Sequence, residues 1–139
     1  MEQLTVPGTL DSLSKISDYV LSAASAAGLD KKASYKLRLA VDEIATNVIV
    51  YGYEGWTIQG NLDLQAKIDN SSLTILMEDN AGAFDPTTKF MLEEESINLP
   101  IEQRVIGGLG VYLAIQGVDR FMYERIGDRN RNIFVVHLH

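Results

Sequence analysis

Residues 37–48 read LRLAVDEIATNV and have a clear helical pattern. The apolar residues recur every three or four positions, which at about 100° per residue places them on one face of a helix. These are Leu37, Val41, Ile44, Ala45 and Val48. Asp30 lies upstream as a candidate N-cap, and Gly52 lies downstream. We therefore predict an amphipathic helix that starts after Asp30, ends near Tyr51 and buries this face.

The segments around this helix alternate between helical and strand patterns. Residues 9–27 have helical spacing and precede a candidate C-capping glycine, Gly28, and residues 107–118 resemble a third helix. Apolar residues alternate in the segments 3–6, 62–68, 73–77, 121–126 and 133–138. Short turn sequences separate the last four of these into two hairpins. The order predicts an α+β two-layer sandwich, with helices covering one face of a mostly antiparallel, mixed sheet.

Composition limits the kind of protein this is. The 139 residues suffice for a single domain, 1–139, and their net charge of −7 argues against nonspecific nucleic-acid or anionic-membrane binding. The chain has no cysteine, so disulfides and thiolate metal sites are excluded. We see neither a membrane-spanning apolar run nor a signal peptide, so we expect a cytoplasmic protein.

Two polar residues of the predicted central helix could carry chemistry. Glu43 and Asn47 lie four residues apart on one flank of the apolar face. A carboxylate beside a carboxamide can orient a hydroxyl and complete a metal–phosphate site. The same spacing is also typical of a solvated polar flank, and the two interpretations stay open at this point.

A second candidate site follows the strand that ends near Met77. Residues 77–86 read MEDNAGAFDP, so Asp79 stands at a strand end and Gly82 follows it. The carboxylate could accept a hydrogen bond from an exocyclic amine, and the glycine would let a ligand approach the backbone. Asp, Asn, Gly and Pro are also common turn formers, so a plain turn is the alternative.

A glycine-rich segment at the start of the third helix is the third candidate. Gly107, Gly108 and Gly110 precede and flank Leu109, where free N–H groups and the positive end of the helix dipole would favour phosphate. A flexible hinge is the other interpretation. Residues 81–104 form a long segment without a regular pattern, which is typical of a binding loop.

Taken in order, the three motifs resemble those of the GHKL family, the ATP-binding proteins with the Bergerat or histidine-kinase-like ATPase fold. The N box resembles residues 40–47, AVDEIATN; the G1 box resembles residues 79–86, DNAGAFDP; and the G2 box resembles residues 107–110, GGLG. The resemblance extends over nearly the whole chain. Within the family, it is closest to the stand-alone anti-sigma-factor serine/threonine kinases.

The resemblance implies a role for each motif. Asn47 would bind Mg²⁺ and thereby the triphosphate of ATP, and Glu43 would be the general base. Asp79 would accept from the adenine amine, and Gly82 would line the base pocket. A lid over residues 87–106 would close on the nucleotide. Near the phosphates would lie Arg104, Gly107, Gly108, Leu109 and Gly110.

The resemblance also implies partners and leaves alternatives. The partners would be a sigma factor and a STAS-type anti-anti-sigma protein, and related proteins often form homodimers. The family often has His at the position of Tyr51, and a late-strand Thr near adenine has no obvious counterpart in residues 133–136. The alternatives are a nucleotide-responsive binding module without significant phosphotransfer, and a GHKL ATPase subunit of a larger machine.

Overall fold

Two helices begin and end where local signals in the sequence place their boundaries. The computed structural model describes residues 1–53, 59–86, 111 and 114–138. A 3-10 turn, Leu10–Ser12, leads into α1, Leu13–Ala26, and Gly28 follows with a φ of +80°. Helix α2 spans Lys31–Asn47, and the Asp30 side chain accepts a 2.7 Å hydrogen bond from the Ala33 N–H. Both the glycine that follows α1 and the N-cap of α2 confirm the sequence predictions.

The end of α2 differs from the single regular helix that the periodicity predicts. The chain remains helical to Tyr53, but Val48–Tyr53 adopts a π-helical conformation. The wider turn is uncommon and is frequently found at functional sites. The side chains of these last residues therefore point in other directions than they would in a regular α-helix.

Five strands form one sheet in the order β1-β2-β3-β5-β4, and every described pairing is antiparallel. The strands are β1, Leu4–Pro7; β2, Asn61–Ile68; β3, Ser72–Asp79; β4, Arg120–Ile126; and β5, Arg129–His137. The predicted hairpins are confirmed as β2–β3 and β4–β5, and Gly127 has a φ of +61° in the second turn.

The core lies between the sheet and the helices. Alternate residues of β3 and β5 are buried, and the apolar face of α2 predicted above is buried along its whole length. This alternation indicates that one sheet face packs on the helices while the opposite face stays polar. The α+β sandwich with helices on one face is therefore confirmed.

The polar face of the sheet carries a row of charged side chains, joined by ion pairs, across four strands. Arg129 bonds Asp63 of β2 at 2.6 Å and Glu78 of β3 at 2.9 Å. Arg131 lies 3.5 Å from Glu78 and 2.9 Å from Glu124 of β4. Asp63 and Glu78 are direct cross-strand neighbours, so Arg129 relieves a repulsion between like charges.

The third predicted helix is described only in part. Val111 and residues 114–116 are helical, and Val111 is fully buried. Over the part of the chain that the structure describes, no helix is both long and apolar enough to cross a membrane.

Candidate nucleotide site

Asp79 is a buried carboxylate with one occupied and one free oxygen. It ends β3 and is fully buried. Its Oδ1 accepts hydrogen bonds from the Ala81 N–H at 3.0 Å and from Asn130 Nδ2 at 2.8 Å. Its Oδ2 has no hydrogen-bond partner among the described residues. A free buried acceptor is costly unless a ligand supplies the missing donor.

The ionisation of Asp79 reflects the same surroundings. Burial raises the pKa of the Asp79 carboxyl, and the hydrogen bonds from Asn130 and Ala81 offset part of that rise. Arg125 and Arg129 also favour the charged form through their positive charges. A carboxylate held in this way is a strong acceptor for a neutral N–H donor.

Asn130 of β5 holds Asp79 and the loop after it together. It is 2% exposed, lies directly opposite Asp79 and donates from Nδ2 to that carboxylate. The same Nδ2 lies 3.3 Å from the Ala81 carbonyl oxygen and 3.0 Å from that of Gly82. One amide group therefore determines which oxygen of Asp79 is free and where the backbone of Gly82 lies.

The other end of the Asn130 amide is anchored by donors from neighbouring segments. Its Oδ1 accepts from the Tyr123 hydroxyl, from Arg125 Nη1 at 3.2 Å and from the Phe84 N–H at 3.4 Å. Arg125 Nη1 also donates to the Ala81 carbonyl at 2.9 Å. These donors fix the orientation of the amide, so that its Nδ2 faces Asp79.

Asn132 adds a second free acceptor to the same face of the sheet. It is 1% exposed, and its Oδ1 has no hydrogen-bond partner among the residues that the structure describes. It lies opposite Met77 on β3, two residues along from the Asp79–Asn130 pair. Polar residues at inward positions of a strand were the available signal for both asparagines, but the predicted strand 133–138 starts after them, whereas β5 begins at Arg129.

Glu43 and Asn47 lie at the end of α2, and the structure excludes a solvated flank for Asn47. Asn47 is 4% exposed, and its Nδ2 donates to the Glu43 carbonyl oxygen at 2.9 Å. It follows Ala40 and Ile44 at helical spacing, and both of these are fully buried. Glu43 is half-buried, so its carboxylate remains within reach of solvent.

The π-helical residues join the end of α2 to the loop after Asp79. A Cβ added to Gly52 would lie 3.0 Å from the Ala81 Cβ, so only glycine allows this approach without a shift. The Tyr53 hydroxyl lies 2.6 Å from Asn80 Oδ1 and accepts from the Asn80 N–H at 3.1 Å. The Asn47 end of α2 and the Asp79 loop are thus parts of one packed unit.

Gly82 is the only one of the remaining predicted ligands that lies among the described residues. A Cβ at Gly82 would meet nothing within 4 Å, which leaves open space beside the loop. The predicted lid, 87–106, and the predicted phosphate ligands lie outside the described residues. Those ligands are Arg104, Gly107, Gly108, Leu109 and Gly110.

The sequence profile of the histidine kinase-like ATPase domain matches residues 6–136. The chain belongs to this family. In this family context, the solved structures that resemble the chain support the fold. The histidine kinase domain of a blue-light activated histidine kinase from Erythrobacter litoralis has a TM-score of 0.55 at 15% identity, covering 91% of this chain and 59% of that one. The histidine kinase AdeS from Acinetobacter baumannii has a TM-score of 0.52 at 10% identity, covering 99% of this chain and 68% of that one.

Curated relatives in this family are more similar in sequence. A serine-protein kinase RsbW from Listeria innocua is 31% identical over 91 residues, which is 65% of this chain and 57% of that protein. Serine-protein kinase RsbW from Listeria monocytogenes matches to the same extent. The match therefore spans little more than half the length of these relatives.

Proposed function

We propose that this protein binds Mg²⁺-ATP and transfers its γ-phosphate to a serine or threonine of a partner protein. The observation that carries the nucleotide part is the free Oδ2 of Asp79, a buried oxygen held in place by Asn130 and Ala81. The exocyclic amine of adenine is a donor of the kind this oxygen lacks. Membership of the histidine kinase-like ATPase family supports the same ligand.

The two free acceptors together favour a base with an unsubstituted amino group. Asp79 Oδ2 and Asn132 Oδ1 belong to the same buried face of adjacent strands. An adenine amine has two hydrogens, and we propose that it donates one to each of these acceptors. A 6-oxo purine would instead present an oxygen to two acceptors, which is unfavourable. The protein should therefore prefer ATP to ITP or GTP.

The metal and phosphate end of the ligand would be held by α2 and the glycine-rich segment. Mg²⁺ binds through few protein ligands and the phosphates of the nucleotide, and it neutralises phosphate charge when bound. The side-chain oxygen of Asn47 would be its protein ligand. Gly107, Gly108 and Gly110, which the structure does not describe, stay predicted phosphate ligands. No cluster of three or more His, Asp or Glu that could hold a metal occurs among the described residues.

Glu43 would act on the acceptor, not on the nucleotide. It stands one helical turn before Asn47 and is only half-buried, so a hydroxyl of another protein can approach it. Its carboxylate would take the proton of that hydroxyl while the oxygen forms a bond to the γ-phosphorus. The bond from the γ-phosphorus to the bridging oxygen breaks, and ADP leaves. The products are ADP and a phosphorylated partner.

Similarity to relatives that are named serine-protein kinase supports the choice of a serine or threonine as the acceptor. We propose an anti-sigma-factor role, in which the protein sequesters a sigma factor and phosphorylates a STAS-type anti-anti-sigma protein. The two alternatives predict different outcomes. A nucleotide-responsive binding module would bind ATP without transfer, and an ATPase subunit would release free phosphate without a protein acceptor.

The deciding experiment compares two adjacent carboxylates of α2. Glu43→Gln should bind Mg²⁺-ATP as the wild type does, but transfer labelled phosphate to the purified partner tens of times more slowly or worse, since a positioned base contributes about 100-fold or more. Asp42→Asn is the matched control, because Asp42 is already bonded to Ser17 at 2.8 Å and to Arg38 at 3.1 Å. It should transfer at nearly the wild-type rate.

The result also separates the proposal from its alternatives. An unchanged rate of phosphate transfer in Glu43→Gln would show that Glu43 is not the general base. A wild type that binds ATP but phosphorylates neither partner would favour the binding module. A wild type that does not bind ATP would contradict the whole proposal.

A further inference from the structure

The outer surface of the two helices has a groove that the nucleotide site does not use. It has a volume of about 490 Å³ and lies between the second half of α1 and the start of α2. Its lining residues are Leu21, Ser25, Gly28, Leu29, Lys31, Ser34, Tyr35 and Arg38. Helix α2 rises 1.5 Å per residue, so Lys31 is about 24 Å from Asn47 along the helix.

Large apolar side chains are exposed along this groove. Leu21 is 39% exposed and Tyr35 is 53% exposed, while Leu39, one turn beyond Tyr35, is 40% exposed. The Tyr35 ring is fixed by the Arg38 guanidinium, which lies 5.0 Å from its centroid and is itself paired with Asp42. The groove thus offers apolar anchor positions, one of them an aromatic ring in a defined orientation.

The same surface is the basic part of an acidic protein. Residues 31–38 contain four of the twelve Lys and Arg residues and no acid, whereas the whole chain has a net charge of −7. Lys31, Lys32 and Lys36 are exposed and form no ion pair within the described part of the chain. Lys32 and Lys36 line an adjoining cavity of about 450 Å³ that shares Gly28 and Leu29 with the groove. Two carboxylates also line this cavity, and each already accepts a backbone N–H: Asp30 from Ala33 and Asp119 from His137.

We propose that this basic groove binds an acidic segment of a partner protein that inserts one or two apolar side chains. The argument is charge complementarity combined with apolar contact. Unpaired lysines attract carboxylates, and the exposed Leu21 and Tyr35 gain from burial against apolar side chains. Nucleic acid is a poorer match, because apolar anchors contribute little to phosphate binding and the rest of the protein repels polyanions. The inference does not depend on the proposed phosphotransfer.

The experiment identifies the occupant and then measures its binding. A photo-reactive phenylalanine analogue is placed at position 35 of the full chain in its host cells, and at position 126 as a control. Ile126 is 52% exposed and pairs with Arg129 at the start of β5, whereas the end of β5 lines the adjoining cavity. The peptide cross-linked to position 35 is identified by mass spectrometry and synthesised. Its affinity for the purified protein is then measured by fluorescence anisotropy at low and high salt.

Two variants and one control test the charges and the apolar contacts. Lys31→Glu/Lys32→Glu/Lys36→Glu should weaken binding of the peptide about tenfold or more, and Leu21→Ser should weaken it as well. The control carries the same change of charge elsewhere, in exposed basic residues of α1, β2 and β4. It is Lys15→Glu/Lys67→Glu/Arg120→Glu.

The proposal is supported if the cross-linked species is an acidic peptide with apolar residues. This peptide should bind more weakly at high salt and to the groove variants, but not to the control variant. Four results would overturn the proposal: a neutral or basic peptide, a second copy of this chain, nucleic acid or lipid as the cross-linked species, or no cross-link above the position 126 control. Equal binding by the wild type and the charge-reversed variant would also overturn it.

Discussion

Replacement of Asp79 by asparagine changes one free acceptor into a donor while leaving the rest of the site unaltered. The side chain keeps its shape, and its remaining oxygen can still accept from Ala81 and Asn130. The new amide group then occupies the place of Oδ2, which lacks a partner among the described residues. Asp79→Asn is therefore a test of base recognition with little disturbance of packing.

The expected loss of ATP affinity can be estimated from the contacts. A hydrogen bond to a charged acceptor contributes about 1.5–3 kcal/mol, and leaving buried donors unsatisfied costs about 1–3 kcal/mol. Asp79 is fully buried, so solvent does not relieve either effect. We expect a loss of about 3–5 kcal/mol, or roughly a hundredfold to a few thousandfold in the dissociation constant.

The same substitution should not destabilise the free protein at neutral pH. Burial raises the pKa of Asp79 above its ordinary value, so the folded state holds the proton more tightly than the unfolded state. The wild type therefore gains stability as the pH falls through that raised pKa, until the unfolded chain is protonated as well. Asp79→Asn lacks this dependence and avoids the cost of a buried charge. ATP binding by the wild type should weaken over the same range of pH.

Calorimetric titration with ATP and ITP measures the change in nucleotide affinity, and urea unfolding at several pH values measures the change in stability. The asparagine variant should prefer ITP, whose 6-oxo group accepts from the new donor. Asp18→Asn, the same change at an exposed position of α1, should alter neither affinity. An asparagine variant that is folded and binds ATP within about threefold of the wild type would refute the assignment, because roughly 0.65 kcal/mol is too little for a buried charged acceptor.

Three further substitutions test other parts of the site and fold. In competition titrations, we expect the wild type to prefer ATP to N6-methyl-ATP about tenfold, and Asn132→Leu to bind the two almost equally. An unchanged preference in the variant would exclude Asn132 from base recognition. Tyr53→Phe should lower the free energy of unfolding in urea by about 1–3 kcal/mol, because it removes the hydrogen bonds between the Tyr53 hydroxyl and Asn80. A loss below about 0.5 kcal/mol would contradict this expectation. Asp30→Ala should cost about 1 kcal/mol in the same assay, and Asp30→Ser should restore most of it.

Features that depend on local chemistry could be predicted from the sequence. Asp30 caps α2 because a side-chain oxygen at that position meets a free N–H, and Gly28 follows α1 with the positive φ that glycine tolerates. The β2–β3 hairpin follows from two alternating runs around a short turn. Asp79 was found because its motif resembles that of a known family.

Features that depend on distant packing could not be predicted. The π-helical turn contains Gly52 and Tyr53, which contact Ala81 and Asn80, almost 30 residues away in the chain. Asn130 becomes part of the site because β5 pairs with β3 across about 50 residues. No periodicity within either segment contains this information, since the partner residues decide it.

The row of charges on the polar face has a consequence for how the strands find their alignment. A slip of β5 against β3 by two residues would keep every side chain on its own face, so apolar burial hardly distinguishes it from the native pairing. In one direction the slip would bring Ile133 opposite Glu78, and in the other it would bring Arg131 opposite Leu76. Either way Glu78 and Arg131 would no longer lie opposite each other, and one of the two would face an apolar side chain. The charged side chains of the polar face, together with the buried Asp79–Asn130 pair, thus select one alignment among several that apolar burial alone would accept.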